Sequence, residues 1–130
     1  MTMDLILTGQ TMYVYADQDR IQQVLYNLID NAIKFGYPDS VVTVETTERN
    51  EKVYVSVRDN GIGIAKENLN RIWERFYKTD ASRGKDKRGT GLGLSIVREI
   101  IQSHGETINV ISTENAGTDF TFTLARSPDI

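Results

Sequence analysis

The chain has 130 residues, a formal net charge of −3, no Cys and one His. Its length predicts one domain with one sizeable core, and its composition, 39% apolar and 25% charged, is ordinary for a soluble domain. The lack of Cys excludes disulfides, thiolate metal sites and cysteine nucleophiles, and the single His excludes zinc sites built from several histidines. No apolar run reaches the roughly 18 residues of a membrane span, and the first residues lack a signal-peptide pattern, so we expect a cytoplasmic domain.

Hydrophobic spacing predicts amphipathic helices, and alternating β-branched residues predict two hairpins. Asp17 is a suitable N-cap for the first helix, and Gly36 and Pro38 are expected to end it. Such elements favour helices layered on one face of a mostly antiparallel sheet. In chain order we expect a weak strand at 12–15, a helix at 17–35, strands at 41–47 and 53–58 around a turn at 48–51, a short helix at 66–75, a helix at 92–104, and strands at 107–113 and 118–124 around a turn at 115–117.

The first predicted helix carries a polar stripe. Asn27, Asn31 and Lys34 are spaced i, i+4 and i+7, so they lie on nearly the same side of the helix. Asn is a poor helix former, and amide oxygens are suitable ligands for Mg²⁺, while a neighbouring Lys can contact phosphate. Taken alone, the stripe favours an exposed polar face over a ligand-binding role.

Two glycine-rich segments follow predicted secondary-structure boundaries. Asp59 ends a predicted strand and is followed by Gly61 and Gly63, which allow a sharp turn and close approach to a ligand. The Asp59 carboxylate can accept a hydrogen bond from an exocyclic amine, or it can be a simple turn residue. Residues 88–94 run into a helix, where backbone N–H groups can bind an anion. Their G-x-G-x-G spacing fits neither the Rossmann fingerprint nor Walker A, so a phosphate site of another kind remains.

Residues 71–88 contain seven basic and three acidic residues, a net charge of +4. Most such runs are solvated loops, although this one lies between the two glycine motifs. The acidic remainder of the chain and the lack of spaced aromatic residues disfavour nucleic-acid binding.

These motifs, in this order, resemble those of the catalytic, ATP-binding domain of bacterial two-component sensor histidine kinases. That domain belongs to the superfamily of DNA gyrase, heat-shock chaperone, histidine kinase and mismatch-repair ATPases. The resemblance covers most of the chain. Residues 19–35 resemble the N box, 59–63 the first glycine box, 72–78 the F box, 89–94 the second glycine box, and 117–122 the closing strand.

The resemblance implies an α+β two-layer sandwich of the Bergerat type. Its mixed, mainly antiparallel sheet has about five strands and is covered on one face by about three helices. Residues 1–130 would form a single catalytic domain, without the dimerisation and phosphoacceptor domain, and residues 78–90 would form an ATP lid.

The resemblance also implies roles for individual residues. Asn31 would coordinate Mg²⁺ with support from Asn27, and Lys34, Arg75 and Lys78 would complete the catalytic group. Asp59 would accept the adenine amine. Basic lid residues (Arg83, Lys85, Lys87 and Arg88) are further candidates to meet the γ-phosphate. The implied nucleotide-binding residues are Asn31, Phe35, Asp59, Gly61, Gly63, Ile64, Phe76, Arg88, Gly89, Thr90, Gly91, Leu92, Gly93, Leu94 and Thr118.

The implied activity is transfer of the γ-phosphoryl group of Mg-ATP to a histidine on a separate dimerisation domain. Hydrolysing relatives carry a Glu at the position of Asn27, and an amide cannot replace it as a base, so transfer is favoured over hydrolysis. His104 ends a helix and is expected to be structural rather than the phosphoacceptor. Trp73 stands where Phe is usual, and Glu106 replaces a glycine.

The implied partners are the phosphoacceptor domain and a downstream response regulator, with no nucleic acid. We expect the isolated domain to be a monomer and its parent to be a homodimer anchored in the bacterial membrane. Three alternatives stay open: a serine kinase of the anti-sigma-factor type, a non-catalytic docking module controlled by nucleotide, and a conformational ATPase.

Overall fold

The structure is a computed structural model, and it describes residues 2–6, 13–34, 36–37, 39–74 and 93–127. These residues form six strands, two α-helices and one 3-10 helix. In chain order they are β1 (Thr2–Ile6), β2 (Tyr13–Tyr15), α1 (Gln18–Lys34), β3 (Val41–Arg49), β4 (Lys52–Asp59), a 3-10 helix (Lys66–Asn68), α2 (Gly93–Ser103), β5 (Ile108–Thr113) and β6 (Gly117–Ser127).

The strands form one mixed sheet in the order β1-β3-β4-β6-β2, with β5 also paired to β6. Strand β1 is parallel to β3, whereas every other pair is antiparallel. The mixed, mainly antiparallel sheet is therefore confirmed, with six strands instead of about five. The additional strand, β1, was not predicted because its pairing with β3 is not local in sequence.

Buried and less buried residues alternate along the central strands, so that one face of the sheet contributes to a core shared with the helices. Val53, Val55 and Val57 of β4 are buried on one face, as are Phe120 and Phe122 of β6. The helices cover this face, as predicted for the sandwich, because their apolar residues recur at helical spacing. The buried helix residues are Val24, Leu28 and Ala32 of α1 and Val97, Ile100 and Ile101 of α2.

Local chemistry sets the ends of the two α-helices. The backbone N–H of Arg20 donates to the Asp17 carboxylate at 3.2 Å, which is the expected N-cap interaction. At the end of α2, Gly105 adopts a φ of +70°. The N–H groups of Gly105 and Glu106 bond the carbonyls of Gln102 and Ile101, as in a Schellman motif.

His104 connects the end of α2 to the start of α1. Its Nε2 atom lies 3.0 Å from the backbone N–H of Asp17, and its Nδ1 atom lies 2.9 Å from the Ile100 carbonyl. Nε2 therefore accepts and Nδ1 donates. Both nitrogens are used within the fold, in agreement with the expected structural role.

The short helix predicted at 66–75 is wrong as an α-helix. The structure has a 3-10 helix at Lys66–Asn68, followed by turns to Glu74. Its hydrogen bonds run from i to i−3, as from Arg71 to Asn68 and from Glu74 to Arg71. Asparagines favour turns over helix interiors, and the sequence has them at positions 68 and 70. About three helices thus become two α-helices and a 3-10 turn among the described residues.

No helix within the described ranges is long and apolar enough to cross a membrane.

Candidate functional site

The predicted polar stripe lies on α1, and its first residue, Asn27, contacts the start of α2. Asn27 and Asn31 are half-buried, whereas Lys34 is exposed and forms an ion pair of 3.0 Å with Asp30. The Asn27 Nδ2 atom lies 3.5 Å from the Gly93 carbonyl oxygen. This contact brings the predicted N box against the first residue of α2, 66 positions away in sequence. Because the Asn27 amide nitrogen is directed at Gly93, the side-chain oxygen of Asn27 is the atom that could coordinate a cation.

Asp59 ends β4 on the face covered by the helices. Its Oδ1 atom accepts the backbone N–H of Gly61 at 2.8 Å. Burial raises the pKa of the Asp59 carboxyl above its usual value, while hydrogen bonds from the N–H groups of Gly61 and Thr118 limit the rise. The same two bonds hold the carboxylate in one orientation, where it can serve as a fixed acceptor.

The loop after Asp59 is fastened to the turn between β5 and β6. The N–H of Asn115 donates to the Ile62 carbonyl at 2.7 Å. Gly63 has a φ of +72°, and a Cβ there would lie 2.1 Å from the Thr113 carbonyl oxygen. Only glycine meets both conditions, because other residues are strained at this φ and would overlap the neighbouring strand.

Asn60 closes the other side of the same loop. Its side-chain oxygen accepts the backbone N–H of Val41 at 2.7 Å, so it ties the loop to the first residue of β3. The predicted first glycine box is thus bound to β3 and to the turn between β5 and β6 by specific hydrogen bonds. Its backbone is a preformed turn beside Asp59.

Thr118 lies beside Asp59 in the sheet, since the two residues are opposed across β4 and β6. Across the other edge of β6, Thr118 is opposed to Ser112 of β5. The Ser112 and Thr118 hydroxyl oxygens are 2.8 Å apart. Asp59, Thr118 and Ser112 consequently form a row across three strands. Sequence reasoning missed Ser112; its signal is a polar residue at the inward end of the alternation Ile108, Val110, Ser112.

Ile64 and Leu94 were predicted to contact nucleotide, and both are half-buried and packed against the core. Gly93 begins α2 and is exposed, with no atom near the position of a Cβ. The other predicted site residues lie outside the described residues, as do the lid at 78–90 and most of the basic run. These site residues are Phe35, Arg75, Phe76, Lys78, Arg88, Gly89, Thr90, Gly91 and Leu92.

Trp73 and Glu106, which depart from the usual residues of the resembled family, both have structural contacts. The Trp73 ring meets the Phe120 ring edge-on, with centroids 5.8 Å apart, and the Arg98 guanidinium lies 5.7 Å from the Trp73 centroid. Glu106 lies at the opposite end of β4 from Asp59, where Lys52 Nζ contacts both of its carboxylate oxygens at 2.7 and 2.8 Å. Trp73 therefore serves as a packing residue, and Glu106 as an ion-pair partner.

The described residues fit one kind of metal site. They contain no group of three or more His, Cys, Asp or Glu side chains able to hold a metal ion. Asn27 and Asn31 instead offer amide oxygens on one helix face. Mg²⁺ keeps waters and commonly binds through substrate phosphates with few protein ligands, so this donor set suits a cation that arrives with a phosphorylated ligand.

Comparison with known proteins places this geometry in a family. Residues 16–128 match the family described as histidine kinase-, DNA gyrase B-, and HSP90-like ATPase. The sensor histidine kinase WalK of Bacillus subtilis is 44% identical over 120 residues, which cover 91% of this chain and 20% of WalK. The chain therefore spans about a fifth of the length of that curated relative.

Solved structures agree with the sequence match. The catalytic domain of histidine kinase ThkA superposes with a TM-score of 0.82 at 34% identity, covering 98% of this chain and 81% of that domain. Full-length ShkA, solved in complex with AMPPNP, gives a TM-score of 0.83 at 29% identity, covering 97% of this chain and 26% of ShkA. By its sequence match and its fold, the chain belongs to the histidine kinase-, DNA gyrase B-, and HSP90-like ATPase family.

Proposed function

We propose that the chain is the catalytic domain of a longer sensor histidine kinase, which binds Mg-ATP and transfers its γ-phosphoryl group to a histidine on a separate dimerisation domain. The observation that supports this most is the meeting of Asn27 with Gly93, since it joins the amide stripe of α1 to the start of α2. Residues 1–130 would form one catalytic domain, and residues 78–90 its lid.

Four of the described side chains bind the nucleotide or its cation in this proposal. Asn31 and Asn27 supply amide oxygens toward Mg²⁺, which neutralises charge on the phosphates when bound. Lys34 contacts phosphate after leaving or sharing its ion pair with Asp30. Asp59 accepts the adenine amine, in an orientation held by Gly61. Phosphoryl transfer depends mainly on such positioning and charge stabilisation.

Predicted site residues outside the described ranges complete the same site in the proposal. Arg75, Lys78 and Arg88 contribute positive charge near the γ-phosphate. The ring of Phe35 and the segment from Gly89 to Leu92 enclose the nucleotide, together with Phe76.

Transfer is preferred over hydrolysis because Asn27 is not a base. An amide cannot remove a proton from water, whereas a histidine nucleophile needs no such base for attack. The isolated chain is therefore expected to bind Mg-ATP with little turnover. Steady ATP hydrolysis by the chain alone, measured as phosphate release, would instead indicate a conformational ATPase.

The whole protein's setting is part of the proposal. The parent would be a membrane-anchored homodimer in a bacterium, with this domain in the cytoplasm and a response regulator as the next acceptor. His104 is not the acceptor, because both of its ring nitrogens are engaged by Asp17 and Ile100.

The test combines calorimetry with γ-labelled ATP. Binding of Mg-ATP, followed by label on a histidine of the dimerisation domain, supports the proposal. Acid-stable label on serine would favour the anti-sigma-factor type of kinase. Binding without transfer to the cognate acceptor would favour a docking module.

A further inference from the structure

Ser112 is a residue for which the activity proposed above gives no role. It lies at the end of β5, on the inward side of a strand whose burial alternates. The two inward residues before it, Ile108 and Val110, pack against the core. A serine at the next inward position removes apolar contact, so its hydroxyl is expected to be needed for hydrogen bonds.

Three polar groups surround the Ser112 oxygen. The backbone N–H of Ile64 lies at 2.8 Å, the Gly117 carbonyl at 2.9 Å and the Thr118 hydroxyl at 2.8 Å. A serine hydroxyl has one hydrogen to donate and two lone pairs that accept. These three neighbours therefore use its full capacity.

The direction of each bond follows from what its partner can do. An N–H can only donate and a carbonyl can only accept, so Ser112 accepts from Ile64 and donates to Gly117. The single hydrogen of Ser112 is then used. The contact with Thr118 must have the opposite direction, with the Thr118 O–H donating to Ser112. Thr118 can consequently only accept from any further group.

Asp59 and Thr118 are direct neighbours on the same face of the sheet. The Asp59 carboxylate, in its charged form, also only accepts. We propose that Ser112 is a specificity-determining positioning residue: it fixes Thr118 as an acceptor, so that Asp59 and Thr118 present acceptors alone to a nucleotide base. This inference rests on the proposed function, because it takes Asp59 and Thr118 to border the base.

A pair of acceptors that faces position 6 of a purine distinguishes the bases by the exocyclic group at that position. The adenine amine donates hydrogen bonds, whereas guanine carries a carbonyl at that position and would place its oxygen against acceptors. Removal of the Ser112 hydroxyl frees the Thr118 hydrogen, which can then turn and donate to a carbonyl. Ser112 thus influences base selection without touching the base.

The test is calorimetric titration of the full chain with Mg-ATP and Mg-GTP. Ser112→Ala is expected to lower the ratio of ATP to GTP affinity by about threefold to tenfold, the range of one neutral hydrogen bond. Asn109→Ala, on the exposed side of the same strand, is the matched control and should leave the ratio unchanged.

A double-mutant cycle separates positioning from general loosening. If Ser112 acts through the Thr118 hydroxyl, Ser112→Ala should have no further effect on the ratio in a Thr118→Val background. An equal effect in both backgrounds, or an unchanged ratio in Ser112→Ala, would overturn the inference. Should Ser112→Ala fail to fold, Ser112→Cys keeps the side-chain volume, weakens the hydrogen bonds and is held to the same criterion.

The unsubstituted chain, which is the parent of these variants, distinguishes failure of the Ser112 inference from failure of the proposed function. If it binds Mg-ATP in preference to Mg-GTP but Ser112→Ala does so equally well, only the role of Ser112 fails. If the parent binds neither nucleotide, the proposed function and the role of Ser112 fail together.

Discussion

The backbone N–H of Gly61 donates a 2.8 Å hydrogen bond to the carboxylate of Asp59, two residues earlier. The bond fixes the orientation of the acceptor and the path of the glycine-rich turn at once. It also joins the end of β4 to the loop that Asn60 attaches to β3 and Ile62 attaches to the turn between β5 and β6. In the proposed function, recognition of a base by Asp59 would therefore depend on the geometry of this turn.

Asp59→Asn is expected to reduce the preference for ATP over GTP by about tenfold to a hundredfold. A carboxylate is a stronger acceptor than an amide, and hydrogen bonds to charged groups are worth about 1.5–3 kcal/mol. Titration calorimetry with both nucleotides measures the preference. Asp39→Asn removes an exposed carboxylate elsewhere and is the control. Equal preference in Asp59→Asn and the parent would rule out Asp59 as the selecting acceptor.

Asn31→Ala is expected to remove the contribution of Mg²⁺ to nucleotide binding. Its affinity for Mg-ATP should fall to the value that the parent shows for ATP in the presence of EDTA. The domain should remain folded, because the side chain is only half-buried on α1. Asn109→Ala serves again as a matched control. Retention of Mg²⁺-dependent affinity in Asn31→Ala contradicts the metal assignment.

Gly63→Ala is expected to destabilise the fold by about 3 kcal/mol. The cost combines backbone strain at positive φ with overlap between the new Cβ and the Thr113 carbonyl. Gly105→Ala is a close control, since Gly105 has a φ of +70° but open space around the Cβ position. That control should cost about 1 kcal/mol from the backbone alone. Urea unfolding measures both, and equal losses would argue against the close approach.

Glu106→Gln is expected to make the free energy of unfolding less dependent on pH under acidic conditions. Burial acts to raise the pKa of the Glu106 carboxyl, but hydrogen bonds from Lys52 and Thr123 and the charge of Lys52 together lower it below its usual value. A lowered folded-state pKa contributes stability that is present above pH 4.5 and is lost as the pH falls through the folded-state value. The parent should therefore lose more stability than Glu106→Gln on acidification below pH 4.5.

Thermal unfolding at several pH values measures this difference. Glu114→Gln removes an exposed carboxylate from the turn after β5 and controls for net charge. Parallel pH profiles for the parent and Glu106→Gln would exclude the Lys52–Glu106 ion pair as the source of the dependence.

Local chemistry explains which features could be predicted from the sequence. Asp17 caps α1 and Gly105 ends α2 because side chains and backbone a few residues apart determine those boundaries. Alternating β-branched residues predicted both hairpins, because the paired strands of a hairpin are adjacent in sequence. Strands β3 and β4 extend further than expected. Their two-residue turn uses positive φ values at Asn50 and Glu51.

Features that depend on distant pairing could not be predicted. Strand β1 is defined by its parallel partner β3, and a five-residue segment gives little signal alone. Ser112 was missed for a similar reason, since an isolated serine in a strand has meaning only beside Thr118 and Ile64. The candidate site residues themselves were identified by family motifs. The contact between Asn27 and Gly93 is a tertiary contact, which only the folded structure shows.

The most direct test of the central claim is phosphoryl transfer in trans. The chain is mixed with the dimerisation domain of its parent kinase, γ-labelled ATP and Mg²⁺, and the label on each partner is followed. The account predicts acid-labile, base-stable label on a histidine of the dimerisation domain, none on His104, and loss of labelling with Asn31→Ala. Absence of such label under conditions where calorimetry shows that the chain binds Mg-ATP would contradict it.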